Sequence, residues 1–161
     1  MTTAYLTIEV PGDPQGKGRP RAGKSPTGKT VVYTPAKTRA YEKQIAWLAF
    51  LAMKGRPILE GPVWVHIVAM FHIPVRWSKA DRERAARGAT WHTSKPDADN
   101  VAKMLDGLNG IVWADDSQIA DLRVVKRYSA NPRMVISIGV LDEDADTVPK
   151  CATSDKSRDE L

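Results

Sequence analysis

Apolar and polar residues alternate through residues 4–10 (AYLTIEV), the period-two pattern of a half-buried first strand. Residues 11–29 (PGDPQGKGRPRAGKSPTGK) break every period with Gly, Pro and Lys/Arg, and are expected to form no regular element. Val31 to Thr34 suits a short strand. Thr34 as N-cap and Pro35 at the first helical position then start a helix. Its Tyr41, Ile45, Leu48 and Leu51 recur at helical spacing, and Gly55 and Pro57 end it. Residues 63–73 (VWVHIVAMFHI) are apolar and β-branched, as in a central strand buried on both faces. Ser78 with Asp81 has the layout of a capping box for a short charged helix through Ala86, closed by Gly88.

Asp99 or Asn100 is expected to cap a third helix, with Val101, Leu105 and Leu108 on one face and Asn109-Gly110 at its end. Residues 120–128 and 133–140 read as two strands around Asn131-Pro132, which predicts a hairpin. The order predicts one α/β (α+β) domain over residues 1–141, a mixed sheet with helices packed on one side. From Asp142 to the end, the chain is polar and short of apolar residues, the composition of a disordered tail.

Composition narrows the class. The chain has 161 residues, 42% of them hydrophobic, which is enough for one core. The longest helical apolar stretch, Ile45 to Met53, is far short of the roughly 20 residues that cross a bilayer. Met1 to Val10 lacks the layout of a signal peptide, and the terminal RDEL (Arg158 to Leu161) is then an address without a reader. A lone Cys151 excludes an internal disulfide and fits a reducing cytoplasm. The net charge of +5 is unevenly spread: residues 142–161 hold seven acidic and three basic residues, leaving 21 basic against 12 acidic elsewhere. A domain at that balance of +9 suits a polyanionic partner, although charge alone does not name one.

The chemistry concentrates in KPDADN, residues 95–100, and WADDSQ, residues 113–118. Hard divalent cations take oxygen ligands, and carboxylates are the strongest a protein supplies. In an extended segment Asp97 and Asp99 point the same way, with Ala98 turned aside. A helix folding back would bring Asp115 and Asp116 to the same point. Like charges at contact distance repel unless a cation lies between them, so a converged set indicates a metal. The alternative is equally physical: Asp caps helices and favours turns, so each pair is also ordinary loop chemistry.

Taken together, PDADNVAKMLDGLNGIVWADDSQI (residues 96–119), KGRPR at 17–21 and VYTP at 32–35 resemble the RusA family of Holliday junction resolvases over about residues 4–140. The family pairs an Asp-x-Asp-Asn-x-x-Lys segment with an Asp-Asp-x-Gln segment after an intervening helix. The resemblance implies that Asp97, Asp99 and Asp116 bind Mg²⁺, with Mn²⁺ as a substitute, and that Lys103 is the essential lysine. Asp115 is second choice to Asp116, and Asn100 orients a carboxylate or caps the helix. The intervening helix is one residue shorter than the family pattern, which leaves Asp106 as scaffold.

The resemblance further implies a homodimer that cuts a four-way DNA junction by paired nicks, leaving 5′-phosphates, and an origin in a bacteriophage or prophage. Lys17, Arg19, Arg21 and Lys24 are the expected phosphate contacts, with Arg123, Lys126 and Arg127 weaker. His66 and His72 are expected in the core or at an interface, His92 lies near the site, and Trp113 is a core anchor. Three rivals share these residues: a nuclease on flap or other branched DNA, a junction-binding protein without catalysis, and a sugar transferase using Asp-x-Asp. The small chain disfavours the last.

Overall fold

In the first strand, β1 (Leu6–Pro11), alternation buries Leu6, Ile8 and Val10 and exposes Thr7, Glu9 and Pro11. The computed structural model describes residues 4–141; the acidic segment from Asp142, with Cys151 and the RDEL end, lies outside them. β4 (Val63–His72) repeats the rule over ten residues: Val63, Val65, Ile67, Ala69 and Phe71 are buried, while Trp64, His66, Val68 and Met70 are half-buried. The expectation that β4 is buried on both faces is therefore corrected to one face. Residues of the helices at 36–53 and 101–108 join that core, and the other face of the sheet stays half-open.

The main sheet runs β1-β6-β4-β5, with β5 at Ile119–Ser129 and β6 at Arg133–Val140. β6 pairs antiparallel with both β1 and β4, whereas β5 pairs parallel with β4. The sheet is mixed, as the sequence predicts, but the expected β5–β6 hairpin is not formed. β4, the most apolar strand, takes both partners and lies between them. A parallel partner needs a long crossover, and the chain between β4 and β5 supplies one containing α2 (Lys79–Ala86) and α3 (Ala98–Ala102). Residues 130–132 therefore step across the end of β4 rather than turn a hairpin.

α1 (Ala36–Met53) packs on β1 through Tyr41, Ile45, Ala49 and Met53, an i, i+4 stripe. Leu51, expected on that stripe, is 49% exposed, and Trp47 and Phe50 are exposed beside it. The helix begins at Ala36, with Pro35 in the cap position and no side-chain cap from Thr34. It ends at Lys54 in the left-handed region, followed by Gly55 at φ 74°. α2 has its cap as predicted: the Asp81 amide donates to Ser78 Oγ at 3.2 Å. The Ser78 hydroxyl in turn donates to the Asp81 carboxylate at 2.7 Å.

The segment read as irregular holds a strand. β2 (Arg21–Lys24) pairs antiparallel with β3 (Thr30–Tyr33) around a Ser25–Lys29 turn, in which Gly28 sits at φ 79°. This ribbon is a separate two-stranded sheet, and both strands are largely exposed. Composition hid it because it buries no apolar face. Trp113 is fully buried, and its indole N–H donates to Asn109 Oδ1 at 2.7 Å, the anchor expected of it. Among the described residues no helix is long and apolar enough to cross a membrane.

Candidate active site

α3 starts one residue after Asp97 and tightens at Lys103 into a 3₁₀ helix through Leu108. Val101, Met104, Leu105 and Leu108 are buried and fix its inner side. Gly107 allows close approach to α1, since a Cβ there would meet the Glu42 carbonyl oxygen at 3.1 Å. The loop ahead of α3 is held from β5: Lys126 Nζ donates to the carbonyls of Ser94 and Pro96, each at 2.6 Å. Lys126, expected as a weak DNA contact, thus holds the backbone that presents Asp97. Desolvation by burial keeps its pKa below the ordinary lysine value.

Helix geometry separates the two aspartates of the Asp-x-Asp motif. Asp97 is extended (φ −69°, ψ 153°), but Asp99 lies in the first helical turn. Successive helical residues turn by about 100°, so strand-like alternation does not apply here. The expectation that Asp97 and Asp99 point the same way from an extended segment is corrected on this ground.

Asp97 lines a cleft of about 500 Å³ with Asn100, Lys17, Arg19 and the Pro14–Gly16 loop. It occupies the cap position without making a side-chain cap hydrogen bond, so that bond does not use its carboxylate. The loop fits closely. The Lys17 amide donates to the Asn100 carbonyl at 2.8 Å, and a Cβ on Gly16 would come within 2.6 Å of the Pro96 side chain.

Asp99 instead accepts from Lys103 Nζ at 3.0 Å, one turn on. That hydrogen bond holds its carboxyl below the usual aspartate pKa. Lys103 and Asp116 line a second cavity of about 270 Å³ with Asp106, Leu105, Ile119 and Leu122. α3 therefore stands between the Asp97 cleft and the Asp116 cavity.

The adjacent aspartates 115 and 116 divide their labour. Asp115 caps the short 3₁₀ turn Asp116–Gln118, accepting from the Ser117 amide at 2.9 Å. Its pKa is lowered by hydrogen bonds from Ser117. Gln118 completes the box and does more. Its Oε1 accepts from the Ala114 and Asp115 amides, and its Nε2 donates to the carbonyls of Leu59 and Gly61 at 3.1 and 3.0 Å. The anchoring role of Gln118 was missed from sequence, although its place three residues after Asp115 is the capping-box signal.

Among the described residues, no three His, Cys, Asp or Glu side chains converge closely enough to hold a metal ion. Asp97 makes no side-chain cap hydrogen bond, Asp99 pairs with Lys103, and Asp115 caps the turn that begins at Asp116.

The basic residues are unevenly available. Lys17 is shared between Asp106 and Glu42 (3.4 Å to the latter), and the Asp106 hydrogen bond raises its pKa. Arg19, Arg21 and Lys24 are exposed along the ribbon and its root. Arg127 stacks on Trp91, 3.1 Å from the ring centroid, and donates to the Gly88 carbonyl. Arg123 pairs in register with His66 on the half-open face of the sheet. His72, expected in the core or an interface, lies outside the core as an exposed residue 2.9 Å from the Asp13 carboxylate.

A family model described as Endodeoxyribonuclease RusA matches residues 11–139, which span the ribbon, the cleft, α3 and the capped turn. The chain is also 40% identical over 138 residues to the uncharacterized protein YqaN of Bacillus subtilis (strain 168), covering 83% of this chain and 94% of that protein. The chain therefore belongs to the RusA family of endodeoxyribonucleases.

Proposed function

We propose that the protein is a metal-dependent endodeoxyribonuclease that resolves four-way DNA junctions as a homodimer. The observation that carries this reading is the Asp97 carboxylate, free of cap duty, beside Asn100 in a cleft walled by Lys17 and Arg19. An acceptor fit for a hard cation beside donors fit for phosphate supports this reading. Family membership supports the nuclease chemistry.

In this reading Asp97, Asp99 and Asp116 would hold Mg²⁺, or Mn²⁺ in its place; the family membership supports this set, and their present spacing does not. When bound, the ion supplies a polarised phosphate and a water of lowered pKa. Asp99 is now paired with Lys103. Parting that pair frees a carboxylate for the cation and an ammonium for the charge that builds on the phosphate oxygens. Water oxygen bonds to phosphorus, the bond to the 3′ oxygen breaks, and a 5′-phosphate and a 3′-hydroxyl remain. Asn100 orients Asp97, and Asp115 supports Asp116 through the turn that it caps.

Arg19, Arg21 and Lys24 place positive charge along an exposed two-stranded ribbon rooted at the cleft, a shape that follows a DNA backbone or groove. A two-fold dimer suits a junction with near two-fold symmetry. The exposed Trp47, Phe50 and Leu51 on α1 provide apolar surface for a second copy to cover. A panel of labelled four-way, three-way, flap and linear substrates in Mg²⁺ tests the substrate. Preferred, paired cutting of the four-way junction is expected. Preferred cutting of a flap would move the activity to other branched DNA.

A further inference from the structure

Beside the cleft lies a smaller cavity of about 310 Å³, and Pro14, Lys95 and Pro96 line both. Its walls are the flat rings of Phe71, His92 and Tyr128, with Pro74 beside them. Phe71 and His92 stack at 3.8 Å between centroids, and Tyr128 leans on His92 at 4.9 Å. His92 is only 9% exposed, yet its Nδ1 has no hydrogen-bond partner among the described residues. Burial and the nearby Lys126 hold its pKa below the ordinary histidine value. Asp13, His72, Ser94 and Lys95 add polar groups.

We propose that this cavity receives one unstacked nucleobase of the strand being cut, the base adjacent to the scissile phosphate, and so biases where the cut falls. The inference rests on the nuclease reading above. Flat apolar walls stack on any base, and base–aromatic stacking is a recurrent way of holding single-stranded nucleotides. The unpartnered Nδ1 and the polar groups offer hydrogen bonds to a base edge, which stacking alone does not supply. Position selects the base. The Pro96 wall runs directly into Asp97, and Lys126 pins Ser94 and Pro96 together, so a phosphate held by Lys17 and Arg19 in the cleft keeps its neighbouring base within reach of the cavity. Extruding a base costs least where its pairing is already weak, as at the crossover point of a junction.

The test places 2-aminopurine on either side of the cut in a four-way junction, bound by the full chain without divalent metal. Fluorescence is expected to rise at one of the two positions with wild type. It should not rise with Ser94→Trp, a surface substitution that plugs the cavity mouth. In Mg²⁺, an abasic residue at that position should slow wild-type cutting roughly tenfold. Ser94→Trp should slow cutting of the intact junction similarly, and the two changes together should cost no more than either alone. Unchanged 2-aminopurine fluorescence with wild type, or losses that multiply, would overturn the pocket assignment while leaving the nuclease reading intact. Failure of wild type to cut any junction would overturn that reading and this one with it.

Discussion

At the scale of single residues, the motif Asp97-Ala98-Asp99 shows how one conformational step redirects chemistry. Extended backbone would send both carboxylates one way; the helix start at Ala98 sends them to different surroundings, with Asp97 toward Asn100 and Asp99 toward Lys103. The sequence does not fix that step, because Asp97, Asp99 and Asn100 are all good capping residues and the last two were the expected caps. The Lys103 hydrogen bond lowers the Asp99 pKa, so Lys103→Met is expected to raise it toward the ordinary aspartate value. Carboxyl-carbon NMR titration reads this directly, and an unchanged titration would show that the pair does not persist in solution. The sign for stability follows. A depressed folded pKa means that the Asp99 contribution is present above its unfolded pKa and is lost as pH falls through the folded one.

At the scale of elements, β1, α1, β4 and β6 were legible because each keeps its period over at least six residues. Pairing was less so. Residues 120–128 and 133–140 look like hairpin partners, and nothing in their own pattern says that β4 will lie between them. That is decided by competition for the most apolar strand, a non-local term. β3 was foreseen at Val31 to Thr34, but β2 and their pairing were missed for the opposite reason: the ribbon buries no apolar face and leaves no periodic trace. Gln118 joins two elements that sequence reading treats separately, the capped turn and the start of β4. Gln118→Ala removes these bonds and is expected to cost about 1–2 kcal/mol. In thermal denaturation that is a fall in Tm of roughly 2–8 °C. Cutting activity should fall further than stability does, because Asp116 follows the residue whose amide Gln118 holds. Loss of stability alone would make the turn purely structural.

At the scale of the whole molecule, the described chain has one half-open sheet face, an apolar patch on α1 and a basic ribbon beside the cleft. The choice of Asp97, Asp99, Asp116 and Lys103 as site residues rests on family resemblance more than on spacing, since spacing alone left Asp115 and Asp116 undivided. Truncation after Leu141, whose amide bonds to the Pro62 carbonyl, keeps every contact described above. The truncated chain is expected to fold and cut as the full chain does, measured by Tm and by junction cleavage. An inactive but folded truncation would give residues 142–161 a role in DNA handling.

Our proposal is that the aspartates flanking and beginning α3 cut junction DNA. It is tested most directly by cleavage of a labelled four-way junction with a mobile core in Mg²⁺, wild type against Asp99→Asn. The expected result is paired symmetric nicks by wild type and none by the variant. The variant should still bind the junction as tightly or more so, because repulsion between carboxylate and phosphate is relieved. Binding by both proteins with cleavage by neither, or equal cleavage by both, would contradict the account.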